Sequence, residues 1–147
     1  MRAICCIKGN NIFGEIIFEE TGSGVRMHGN IRGLSPGKHG FHIHNFGAIS
    51  GCNTVGKHFN PYNKNHGAPY SIEKHLGDLG NIIVNENGMA IVDEYYNFLT
   101  LSGNDSIMGR SLVIHSNEDD LGKGNNQESK ISGNSGTKIA CGNILAY

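Results

Sequence analysis

The stretch AICCIKGNNIFGEIIFEETGSGVRMHGNI, residues 3–31, decides the fold. It holds three runs rich in β-branched and aromatic residues, Ala3–Lys8, Ile12–Phe18 and Val25–Ile31. Gly9-Asn10-Asn11 and Thr21-Gly22-Ser23-Gly24 separate them. Apolar runs of this length bounded by Gly, Asn and Ser read as strands joined by turns. Five more follow at His39–His44, Leu79–Val84, Met89–Asp93, Ser111–His115 and Lys138–Ile144. No segment carries a long amphipathic helical stripe. Glycine supplies 22 of the 147 residues and punctuates the strand pattern, as at Gly33, Gly37, Gly88 and Gly103. Many short strands between such turns predict an all-β antiparallel sandwich or barrel. The length predicts a single domain, residues 1–147, burying roughly 68–70% of its unfolded surface.

Charge narrows the partners. The formal net charge is -1, and no Lys/Arg run is interleaved with aromatics. Neither the phosphate-neutralising nor the base-stacking signature of nucleic-acid binding is present. No apolar run reaches bilayer length, so no membrane association is expected. The N-terminus lacks the tripartite pattern of a secretory leader, which makes the cytoplasm the expected location. Cys5 and Cys6 are neighbours on a strand and face opposite ways, as free thiols would. Cys52 and Cys141 are left as a plausible staple, unexpected in a reducing compartment.

Residues 45–78 and 116–137 interrupt the short-turn pattern. Both are polar, glycine-containing and too long for ordinary connections, which marks them as functional or disordered. The first carries His58, His66, His75 and Asp78. The spacing His58-x7-His66-x8-His75-x2-Asp78 gives three imidazoles and a carboxylate, the donor count of a closed tetrahedral zinc site. His42-Ile43-His44 places two imidazoles on one face of a strand, and His115 ends another strand that could lie opposite them. Seven donors exceed the needs of one zinc. A deprotonated His58 has two nitrogens and could bridge zinc to a second metal held by His42, His44 and His115. His28 reads as a surface strand residue, and His39 as a support for local backbone. Asp119 reads either as part of a solvated acidic turn or as a carboxylate that orients ligating imidazoles.

Several motifs carry a resemblance. They are Gly40-Phe41-His42-Ile43-His44, His58-Phe59-Asn60-Pro61, His66-Gly67-Ala68-Pro69, His75-Leu76-Gly77-Asp78-Leu79-Gly80-Asn81 and Gly109-Arg110-Ser111-Leu112-Val113-Ile114-His115. With Asp119-Asp120-Leu121-Gly122-Lys123-Gly124 and Ala140-Cys141-Gly142, they run in order along nearly the whole chain. This set closely resembles the copper/zinc superoxide dismutase family. The resemblance implies an eight-stranded antiparallel Greek-key β-barrel, in the immunoglobulin-like sandwich class, with two long functional loops. It implies copper on His42, His44, His58 and His115, and zinc on His58, His66, His75 and Asp78. It implies that Asp119 links His42 to His66, and that Cys52 and Cys141 form a disulfide. The implied activity is disproportionation of superoxide to oxygen and hydrogen peroxide by alternating copper reduction and oxidation, with His58 carrying a proton.

The chain also departs from the family pattern. Lys138 stands at the active-site arginine position, keeping the charge but losing the planar five-donor fork. Retained steering of the superoxide anion with weaker docking is expected. Ile131 occupies a rim position commonly basic in animal homologues, and Gln127 replaces an acidic residue. Ser132 keeps the hydroxyl on the channel rim. The family commonly dimerises, and Phe46, Ile107, Gly109, Ile144 and Leu145 suit such a patch; Asn143 there is polar and needs a partner. A homodimer and a copper metallochaperone are the expected protein partners. The competing reading is a catalytically weak homologue that binds metal or sequesters a metallochaperone.

Overall fold

The computed structural model describes residues Met1–Tyr147. It contains eight strands: β1 (Arg2–Gly9), β2 (Ile12–Thr21), β3 (Gly24–Arg32), β4 (Gly37–His44), β5 (Asp78–Val84), β6 (Met89–Tyr96), β7 (Ser111–His115) and β8 (Lys138–Ala146). The only helical turns are short 3-10 segments at Cys52–Thr54 and Gln127–Lys130. No helix is long and apolar enough to cross a membrane. All ladders are antiparallel. They run in the order β5-β4-β7-β8-β1-β2-β3-β6, the non-sequential order of a Greek key. β5 and β6 come into contact at the seam without a ladder, so the barrel is nearly closed.

Alternation sorts each strand into an inward and an outward set. From β1 and β2, Ala3, Cys5, Ile7, Ile12, Ile16 and Phe18 join the core. From β4, Phe41 and Ile43 do so, and from β7, Leu112 and Ile114. The alternate residues His42 and His44 therefore leave the barrel on its outer wall. β4 pairs His44 with Ser111 and His42 with Val113, while the β4–β5 register sets His42 opposite Asp78. The two long loops cover this wall. Residues 45–77 are laced to β4 through Ile43 N to Gly77 O and Phe59 N to Ile43 O, both at 2.9 Å.

A third long connection, residues 97–110, is a feature that the strand pattern alone did not mark. It is a plug: Leu99, Leu101 and Ile107 are buried in the core. Glu20 Oε1 holds it by accepting from Thr100 Oγ1 at 2.8 Å and Leu101 N at 2.9 Å.

Two residues of the expected apolar surface patch lie elsewhere. Ile107 and Ile144 are fully buried, because one belongs to the plug and the other to the inward set of β8. Phe46 and Leu145 remain exposed. Asn143 has its partner within the chain. Its Oδ1 accepts from Ala48 N at 2.7 Å, and its Nδ2 donates to Ala48 O at 3.1 Å.

Cys52 and Cys141 are disulfide-bonded across 89 residues, tying the first long loop to β8. Cys5 is buried and Cys6 exposed, both as free thiols. Burial pushes the Cys5 thiol up to about 12, which keeps it protonated. Closing a loop of this length removes about 4–5 kcal/mol of denatured-state entropy. We expect C52S to lower the unfolding free energy by about that amount, measured by urea melts of the metal-free protein.

Candidate metal centre

His42, His44, His58, His66, His75, Asp78 and His115 all converge on the outer wall of β4 and are all buried. Four donor atoms from His42, His44, His58 and His115 lie within 4.8 Å of one another, as do four from His42, His58, His66 and Asp78. His75 joins the second group through Nδ1, 3.1 Å from His58 Nδ1 and 3.3 Å from Asp78 Oδ1.

Neighbouring groups fix which nitrogen each ring offers. Asp119 accepts from His42 Nε2 at 2.7 Å with one oxygen and from His66 Nε2 at 2.7 Å with the other. The Nδ1 atoms of both rings are thereby left bare, and both are buried without a hydrogen-bond partner. His44 Nδ1 donates to Gly56 O at 2.8 Å, and His115 Nδ1 to Gly136 O at 3.2 Å. Their Nε2 lone pairs then face each other at 3.2 Å. His66 Nδ1 lies 2.9 Å from Asp78 Oδ1 without forming a hydrogen bond.

Lone pairs set this close repel unless a cation lies among them. Metal–nitrogen bonds of 2.0–2.1 Å place tetrahedral ligands about 3.3 Å apart. The observed separations are those of ligand edges, and the donor set fits transition-metal ions, with His42 and His58 common to both four-atom groups. Asp78 Oδ2 is taken by Gly67 N at 3.1 Å and His75 N at 2.8 Å, which aims Oδ1 at the imidazoles.

Electrostatics favour neutral, ligand-ready rings on the β4 side. Burial, then the neighbouring imidazoles, holds His42 well below its usual value. Burial lowers His44 to about 2 and His115 to about 4, with the Lys138 charge contributing to both. Burial also lowers His58, against the pull of Asp78. At His66 burial opposes charge, but Asp119 and Asp78 outweigh it and raise the ring. Burial pushes Asp78 up, yet hydrogen bonds to three histidines hold it well below the carboxylate range.

The other singled-out residues have definite places. His39 lies off the cluster, its Nδ1 2.8 Å from His115 O and its Nε2 2.8 Å from Ser35 O. His28 sits half-buried on β3, its Nε2 2.8 Å from Glu19 Oε1. Lys138 and Ser132 line an open cavity of about 590 Å³ above His44, His58 and His115. Ser132 Oγ donates to the Glu128 carboxylate.

Four supports had no role in the sequence reading. The carbonyls of Gly56 and Gly136 orient rings, and carbonyls have no residue signature. Asn81 clamps the backbone of Asp119, donating to its O at 3.0 Å and accepting from its N at 2.7 Å. Gly133, at φ +74°, packs so closely on the Asp119–His66 pair that a Cβ would collide with both. A glycine after a serine in a polar loop looks like ordinary turn material.

The sequence profile described as copper/zinc superoxide dismutase (SODC) matches residues 12–144. The chain belongs to the copper/zinc superoxide dismutase family. It is 50% identical to superoxide dismutase 5, copper–zinc type, of Dictyostelium discoideum, with 98% of this chain and 97% of that protein covered. It is 48% identical to superoxide dismutase 3, copper–zinc type, of Arabidopsis thaliana, covering 98% and 90%. A crystal structure of the clock protein EA4 shares the fold with a TM-score of 0.96 at 40% identity, covering 99% of this chain and 94% of that one. As a copper/zinc superoxide dismutase, the protein is an oxidoreductase that disproportionates superoxide, with copper and zinc as cofactors.

Two outcomes test the geometry. G133A and D119N should each weaken metal binding roughly 10–100-fold, because both disturb the carboxylate that fixes two ring tautomers; competition with a chromogenic chelator reads this. In the metal-free chain, His44 and His115 stay neutral while their unfolded counterparts protonate near 6.5. Its stability should therefore fall as pH drops from about 6.5 towards 4, seen as a declining Tm by calorimetry.

Proposed function

We propose that His42, His44, His58 and His115 hold copper, and that His58, His66, His75 and Asp78 hold zinc. The observation that carries this is the convergence of ring nitrogens into two groups that both contain His42 and His58, of which only His58 has its Nδ1 against His75 and Asp78 while His42 gives Nε2 to Asp119. Copper, held there, supplies the alternating one-electron oxidation and reduction that turns two superoxide anions and two protons into oxygen and hydrogen peroxide. His58 commits Nδ1 to the Asp78 side and keeps Nε2 for the other group. It delivers one proton at Nε2 to the reduced oxygen; solvent supplies the second. His42 keeps its orientation because Asp119 holds Nε2, and His44 because Gly56 O holds Nδ1. Lys138, exposed at the start of β8 and paired in register with His115, sets a positive charge beside the copper-side ligands. Its role is to hold the anion by charge, since an ammonium offers no planar fork. Ser132 contributes a hydroxyl to the rim of the same cavity.

The proposal extends to one domain working as a cytoplasmic homodimer that takes copper from a metallochaperone. A single sheet from Arg2 to Ala146 supports the first element, and exposed Phe46 and Leu145 support dimerisation. Sedimentation velocity at micromolar protein measures the dimer.

The experiment is superoxide disproportionation by protein with quantified copper and zinc, beside H115A. Turnover should track copper occupancy and fall at least 100-fold in the variant. Full occupancy of both sites with background turnover would instead favour metal binding or metallochaperone sequestration.

A further inference from the structure

The cavity above His58 has unequal walls. Lys57 and Lys64 come from the first long loop, Glu128, Lys130, Ile131 and Ser132 from the second, and Lys138 from the start of β8 between them. The second wall carries one lysine and one carboxylate, whose charges nearly cancel. Lys130 Nζ is turned to Gly122 O at 2.6 Å, Ile131 is apolar, and Glu128 is an anion.

On the first wall, both lysines stand on fixed backbone. Lys57 lies between Gly56, whose carbonyl receives the His44 ring N–H, and His58, which is β-bridged to His44. The Lys57 carbonyl itself accepts from Asn45 N at 2.8 Å. Asn60 clamps Lys64 at both ends of its backbone, by Lys64 N to Asn60 Oδ1 and Asn60 Nδ2 to Lys64 O, each at 3.0 Å. Lys64 Nζ reaches Ile72 O at 3.3 Å, whereas no hydrogen bond or ion pair within the chain engages the Lys57 ammonium.

We infer that Lys57, supported by Lys64, is a specificity-determining cation at the entrance of this mouth, drawing superoxide in along the first-loop wall towards Lys138 beside the copper-side ligands. The inference rests on the dismutase reading of the same cavity. Superoxide is a diatomic anion with no shape to read, so charge is what separates it from oxygen, peroxide and water. A chain of net charge -1 gives no long-range attraction of its own. An unpaired ammonium carried on fixed backbone at the mouth concentrates the local field and raises the encounter rate. Its reach is about 8 Å at physiological salt, so its position in the mouth matters more than the total charge.

The test uses the copper- and zinc-loaded protein and the second-order rate constant for superoxide across a range of ionic strengths. K57Q should lower that constant roughly two- to fivefold at low salt and flatten its salt dependence. K57E should lower it further, K57R should restore it, and metal content with the visible spectrum should stay unchanged. K8Q, on the exposed face of β1, is the control and should match the parent. A second readout is a 15N NMR titration of copper-free, zinc-loaded protein with inorganic phosphate. It should shift the Lys57 and Lys64 amides, and do so less in K57Q. A K57Q protein with the parent's rate and salt slope would overturn the inference. So would phosphate shifts confined to residues 128–132. A loaded parent protein without turnover would count against the dismutase reading instead, and the phosphate titration would still decide whether Lys57 faces an anion site.

Discussion

Bare nitrogen lone pairs set about 3 Å apart in a buried space are the constraint on which this structure depends. His44 and His115 face each other in that way because carbonyl groups on their far sides fix their tautomers. The arrangement is unfavourable for the polypeptide alone and favourable once cations lie among the donors. Much of the surrounding architecture maintains that state. Asp119 spans His42 and His66, Asn81 holds Asp119, and Gly133 leaves room for the pair.

The barrel and the loops are stabilised by different physics. Inward residues of β1 to β8 and the 97–110 plug form one apolar core. The two loops over β4 have little apolar interior of their own: Phe59 reaches the main core, and Val55 packs on Val113 of β7 and Cys141 of β8. Backbone bonds to β4, the disulfide and the donor cluster hold them down. Loss of metal therefore bears first on loop order and the mouth, while the barrel retains its own source of stability.

All eight strands were legible as alternating or β-branched runs between turns, and Ser111–His115 ends where the sequence suggests. The largest misjudged ends are those of β2, which continues past Phe18 to Thr21, and β6, which continues past Asp93 to Tyr96. Glu94 and Tyr95 resemble a loop but face solvent in register with Met27 and Arg26, and Arg26 pairs with Asp93. The convergence of seven donors could be anticipated from residue type and spacing, because histidines and an aspartate leave a mark in the sequence. The carbonyls of Gly56 and Gly136 leave none. The apolar patch was harder still: Ile107 and Ile144 have surface-patch chemistry, and only the packing reveals that they point inward.

The clamp of Asn60 on Lys64 separates two kinds of position in the first loop. His58, His66, His75 and Asp78 are constrained by what they must reach, while the side chains of Asn65 and Ile72 project into solvent between those anchor points. Side chains at the free positions can change in size and charge without disturbing the barrel or the donor geometry. The loop is in this respect a modular surface: its fixed points preserve the chemistry, and its intervals let the electrostatic character of the entrance diverge from one relative to the next.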